Sequence, residues 1–173
     1  MKKILFGIVL IFLLASCSSK TSFEDRSAQL PDEIISVIEP LPDDIKDEML
    51  IPTKLLSEEY NVDFGYTTEP VNDPNGKIVL TYFIFADVDS DWNITLNTFH
   101  TPSTPSHESK DNETMKLKNG TKATYSETKD GLQRGIIWTE DDITHEITLI
   151  ENPERSETIY TKEDFMEVVN NLK

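Results

Sequence analysis

Three kinds of hydrophobic patterning follow one another along the chain. Ile4 to Leu14 is an apolar run interrupted only by Gly7. Ser18 to Gln29 is then polar, Ser-rich and without period, which reads as a flexible tether. From Leu30 the apolar positions fall near helical spacing. Pro31-Asp32-Glu33 opens a helix carrying Ile34, Ile35 and Ile38, because proline fits the first helical position and acids suit the positive end of the helix dipole. Pro40 and Pro42 break it, Pro42-Asp43-Asp44 opens a second short helix with Ile45, Met49 and Leu50, and Pro52 ends that one.

From Val62 the pattern changes to strands. Val62 to Thr68 precedes the turn signal Asn72-Asp73-Pro74-Asn75-Gly76. Ile78 to Ala86 is apolar at successive positions, as a central strand covered on both faces would be. Across the turn Asp87 to Asp91, Trp92, Ile94 and Leu96 alternate with Asn93, Thr95 and Asn97. Asn119-Gly120 marks a hairpin between Met115–Leu117 and Lys122–Ser126. Leu132 to Thr139 and Ile143 to Ile150 alternate on either side of Glu140-Asp141-Asp142. At the end, Thr161 caps a helix whose Phe165, Val168, Val169 and Leu172 form one apolar stripe. The order predicts an α+β fold: an antiparallel β-meander of about six strands, a C-terminal helix on the sheet and short N-terminal helices.

The opening run now gains a meaning. Lys2 and Lys3 precede it, and it is shorter than the roughly 20 apolar residues a membrane span needs. Leu14-Ala15-Ser16-Cys17 follows, which resembles the lipobox of bacterial lipoproteins. The resemblance implies cleavage between Ser16 and Cys17 and a lipid on the Cys17 thiol. Residues 1–16 are then a lipoprotein signal peptide, residues 17–29 the lipidated cysteine and tether, and residues 30–173 a single domain. The expected location is the cell membrane, lipid-anchored and facing outside the cytoplasm.

Cys17 is the only cysteine, so a lipid there leaves no disulfide, no cysteine zinc site and no thiol nucleophile in the domain. The chain carries 16 Lys and Arg against 32 Asp and Glu, for a net charge of −16, and loss of Lys2 and Lys3 makes this −18. Such a body repels nucleic acid. It favours cationic partners, or simply solubility.

The C-terminal part also resembles an uncharacterised domain family of surface lipoproteins and single-span membrane proteins of low-GC Gram-positive bacteria. The residues that carry this are Gly131, Trp138, Ile143, Ile147 and Leu149, then Thr161-Lys162-Glu163-Asp164-Phe165 through Leu172, with Pro52-Thr53-Lys54-Leu55 upstream. Leu56, Glu59 and His145 depart from the family's usual proline, glycine and tyrosine. The resemblance implies a membrane-tethered extracytoplasmic domain and supplies no catalytic residues.

Candidate chemistry is sparse. Asp87, Asp89 and Asp91 have the spacing that opens a calcium loop, but Trp92 stands where such a loop needs glycine and Thr98 where it needs a bidentate glutamate. A solvated hairpin turn fits the same residues. His100, His107 and His145 lack any spacing that would join them to one metal, and His145 shares a strand face with apolar residues. No nucleophile elbow, phosphate loop or dinucleotide motif occurs. Trp92, Trp138, Tyr82, Phe83 and Phe85 suit a core better than a pocket. Three functions follow: a non-enzymatic domain binding an envelope protein or peptide, with no cofactor; a carrier or sensor of an apolar ligand in a cup of sheet and helix; and a hydrolase with His145 or His100 beside a hydroxyl and a carboxylate.

Overall fold

The computed structural model describes residues 22–89, 91–102, 112–154 and 160–173. Alternating inward and outward side chains run through seven strands: β1 (Tyr60–Glu69), β2 (Lys77–Asp87), β3 (Trp92–Phe99), β4 (Glu113–Lys116), β5 (Lys122–Glu127), β6 (Gln133–Glu140) and β7 (Ile143–Glu151). All pair antiparallel in one sheet, in the order β1-β2-β3-β7-β6-β5-β4. The expectation of about six strands in a plain meander is corrected on both counts. The short segment before Asn119-Gly120 forms a genuine edge strand. After β3 the chain crosses to the far edge and meanders back, so β3 neighbours β7 and not β4.

Four helices, α1 (Phe23–Ser27), α2 (Asp32–Ile38), α3 (Asp43–Glu48) and α4 (Lys162–Asn170), share one hydrophobic cluster with a single face of the sheet. That face supplies Phe83, Phe85, Ile94, Leu96, Ile147 and Leu149. Strand β2 is interior in the sheet, as expected, but it is not covered on both faces. Phe83 and Phe85 are buried, whereas Ile84, one residue out of phase, is 37% exposed.

Of the expected tether, residues 17–29, the structure describes residues 22–29, and helix α1 places these in the folded body. Ser22 caps it by accepting from Asp25 N, and Phe23 and Arg26 are buried. The Arg26 guanidinium donates to Met49 O and, at 3.0 Å, to Lys46 O. Those carbonyls end α3, where unpaired acceptors and the negative dipole end favour a cation. The polar composition of Ser18–Gln29 hid the single arginine that docks it.

Past α3, the chain pairs with its own C-terminus: Ile51 and Lys173 exchange backbone hydrogen bonds of 3.0 and 3.1 Å, beside a Pro52–Leu172 bridge. Helix α4 begins as expected at Thr161, whose hydroxyl accepts from Asp164 N while the Asp164 carboxylate accepts from Thr161 N, a reciprocal capping box. Phe165, Val168 and Val169 are buried in the core.

Candidate functional site

Strand alternation brings two of the three histidines together. Thr98 and His145 are register partners across β3 and β7, and His100 lies two residues further along the same face. His100 Nε2 is 2.9 Å from the Thr81 hydroxyl on β2, and its Nδ1 is 2.6 Å from Glu48 Oε2 at the end of α3. His145 Nδ1 is 3.2 Å from the Thr98 hydroxyl, and its ring packs on Trp138 with centroids 5.2 Å apart. His107 lies outside the described residues.

Thr81, His100 and Glu48 thus form a line of hydroxyl, imidazole and carboxylate, the order that activates an oxygen nucleophile. Their exposure argues against that use. Thr81 is 1% exposed and only Glu48 reaches the surface. An attacking hydroxyl needs room for a substrate atom beside it. What the line does is satisfy buried polar groups and tie α3 to the sheet. Burial pushes the His145 imidazole down to about 4, with His100 adding to the shift, so His145 is neutral at pH 7.

A second buried polar group lies at the other end of the covered face. Arg134 donates to Glu151, and its Nε stands 2.9 Å from Glu127 Oε1. The second oxygen of Glu151 accepts from Tyr160 N at 3.0 Å, and Glu127 accepts from the Tyr125 hydroxyl at 2.9 Å. Burial, then the Glu127 carboxylate, raises the Tyr125 phenol. Alternation of Leu132, Ile136 and Trp138 put Arg134 on the same face, which was signal enough to suspect an internal charge. Glu151, next after the apolar run of β7, carried no such signal.

In the acidic turn, the described carboxylates make contacts within the protein or face solvent. Asp87 Oδ1 accepts from the Ser57 hydroxyl at 2.9 Å and its Oδ2 from Asp89 N at 3.1 Å, while Asp89 is exposed and Asp91 holds the turn by its carbonyl, accepting from Asn152 N. Among the described residues, no three His, Cys, Asp or Glu side chains are grouped to hold a metal. Of the aromatic candidates, Phe83, Phe85, Trp92 and Trp138 are core residues. Tyr82 faces the other way and lies over Gly65, its partner on β1.

A cleft of about 140 Å³ lies beside α4, lined by Lys54, Leu55, Leu56, Tyr160, Asp164, Glu167 and Val168. Pockets for small organic ligands are typically about 300–1,000 Å³ and mostly apolar. This one is smaller and is crossed by a Lys54–Glu167 ion pair of 2.6 Å. The sheet-facing side of α4 is filled by Phe165, Val168 and Val169.

Residues 1–18 match the prokaryotic membrane lipoprotein lipid attachment site, a span that includes Cys17. The chain is therefore a lipid-anchored membrane lipoprotein. No curated protein and no solved structure matches it, and the family resemblance of its C-terminal part gains no support from these comparisons. Among the described residues, no helix is long and apolar enough to cross a membrane.

Proposed function

We propose that this lipoprotein is a non-enzymatic binding domain held outside the cytoplasm by a lipid on Cys17, and that its ligand is an envelope protein or peptide. The observation that carries this reading is the sealing of Thr81 at the covered face, which leaves the hydroxyl–imidazole–carboxylate line found among the described residues without a substrate path. Two further buried polar groups, Arg134 with Glu151 and His145 with Thr98, pair within the protein. Crosslinking the native lipoprotein in its own membrane, followed by capture, tests the proposal. Reproducible capture of one envelope protein or peptide is expected. Recovery of the lipoprotein alone, across crosslinkers of different reach, overturns it.

The hydrolase reading keeps one favourable observation, the Thr81–His100–Glu48 geometry. A fluorophosphonate probe decides between the two. Labelling of the wild-type chain that vanishes in Thr81→Val would establish a nucleophile and displace the binding reading.

A further inference from the structure

The two edges of the sheet are built differently. Strand β4 is four residues long and carries Lys116, with Lys118 and Lys122 close by in the chain. Short length and lysines are the usual means by which an edge discourages further pairing. Strand β1 has ten residues and contains neither lysine nor proline; its pairing with β2 stays regular from Tyr60 to Thr67 and shifts only at Thr67/Thr68. Among the described residues, no backbone hydrogen bond outside the β1–β2 ladder reaches residues 60–67. Each second N–H and C=O of an edge strand points away from its neighbour, so β1 presents a row of free donors and acceptors.

The side chains beside that row alternate in character. Tyr60, Val62, Phe64 and Tyr66 lie on the core side, half-buried or exposed; the Tyr60 ring meets Phe85 at 5.9 Å and the Phe64 ring meets Phe83 at 5.0 Å. Asn61, Asp63, Gly65 and Thr67 lie on the other side. Charge around the edge is one-sided. From Ser57 to Asp91 the sequence has eight acids, including Glu58, Glu59, Asp63 and Glu69, against the single base Lys77.

We infer that the free edge of β1 binds an extended peptide segment in which basic and apolar residues alternate, adding it as an eighth strand. Main-chain hydrogen bonds supply the pairing. Apolar side chains of the incoming strand extend the half-buried Val62 and Phe64 and cover the exposed Tyr66. Its Lys or Arg side chains stand beside Asp63 and the acids at both ends of β1. A second copy of this chain is a poorer occupant, because each copy carries a net charge of −16. The inference rests on the binding role proposed above and names its surface and the class of its ligand.

The test uses the full-length lipoprotein in detergent micelles and a labelled nine-residue peptide of alternating Lys and Val. Hydrogen exchange should slow at β1 amides on adding this peptide, and a Glu/Val peptide should leave them unchanged. Asp63→Lys, an exposed edge substitution, should weaken binding by about tenfold or more, and Asn61→Lys should do the same, with circular dichroism unaltered. A Lys/Val peptide methylated on the backbone nitrogens that face β1 should lose affinity although its charge is intact. Equal binding of the methylated peptide, or protection appearing elsewhere than β1, overturns the inference. So does β1 protection that rises with protein concentration alone, which would assign the edge to a second copy. Membrane crosslinking of Asp63→Lys separates the two proposals: a partner captured equally by wild type and variant leaves the binding role standing and removes β1 from it.

Discussion

Glu48 and His100 meet at 2.6 Å, joining the last turn of α3 to the end of β3. The pair is half in water on the glutamate side and sealed on the histidine side. Its loss should therefore act on stability. Glu48→Ala leaves His100 Nδ1 without its partner and should cost about 1–3 kcal/mol in urea unfolding. A change below the error of the measurement would show that the contact contributes nothing.

His145 gives the fold a pH dependence of known sign. Its folded-state pKa is about 4, below the ordinary 6.5, so between these values the unfolded chain binds a proton that the folded chain does not. The contribution is complete above pH 6.5 and declines as pH falls toward 4, by up to about 3 kcal/mol. Urea titrations from pH 7 to pH 4 should show stability falling more steeply in wild type than in His145→Gln. Parallel curves would remove His145 from the account.

Arg134 is the more demanding buried charge, because two carboxylates converge on it. Arg134→Met should cost about 3–5 kcal/mol, since the buried Glu151 loses its counter-ion and keeps only the Tyr160 N–H. Arg134→Met combined with Glu151→Gln should recover part of that loss. Additive losses in the double variant would contradict the coupling.

Gly65 and Tyr82 form a cross-strand pair in which the tyrosine ring occupies the space a Cβ would take. Gly65→Ala should destabilise by about 1–3 kcal/mol through displacement of the ring. Tyr82→Ser should relieve it, so a double-mutant cycle is the measurement.

Thr161→Ala removes one half of the capping box and should lower stability by about 1 kcal/mol, read in thermal or urea unfolding. Thr161→Ser, which keeps the hydroxyl, should be nearly neutral.

Local patterning carried most of the element boundaries. The cap at Thr161, the alternation of Trp92, Ile94 and Leu96, and the prolines around α2 and α3 each fix a local conformation through short-range contacts. What the sequence left hidden depends on contacts between distant residues. The pairing of β3 with β7 follows from a crossover that no local signal encodes. The docking of α1 rests on Arg26 finding carbonyls twenty and twenty-three residues away. The Thr81–His100–Glu48 line joins two strands and a helix, and Thr81 looked like one polar residue in an apolar strand. His145 was legible as a hydrogen-bonded core residue because its strand neighbours alternate so regularly.

The packing of α1 also sets a distance. Phe23 belongs to the folded body, so only residues 18–22 separate it from Cys17. The six residue steps from Cys17 to Phe23 span at most about 22 Å when fully extended. With a lipid on Cys17, the leash is at most about three Debye lengths at physiological salt. At full stretch, salt screens most of the surface charge from the acidic body, and only a shorter leash brings the two within one Debye length. With Cys17 lipidated, the α1 end of the domain stays close to the membrane, and a ligand would meet that end in the narrow zone just above the headgroups.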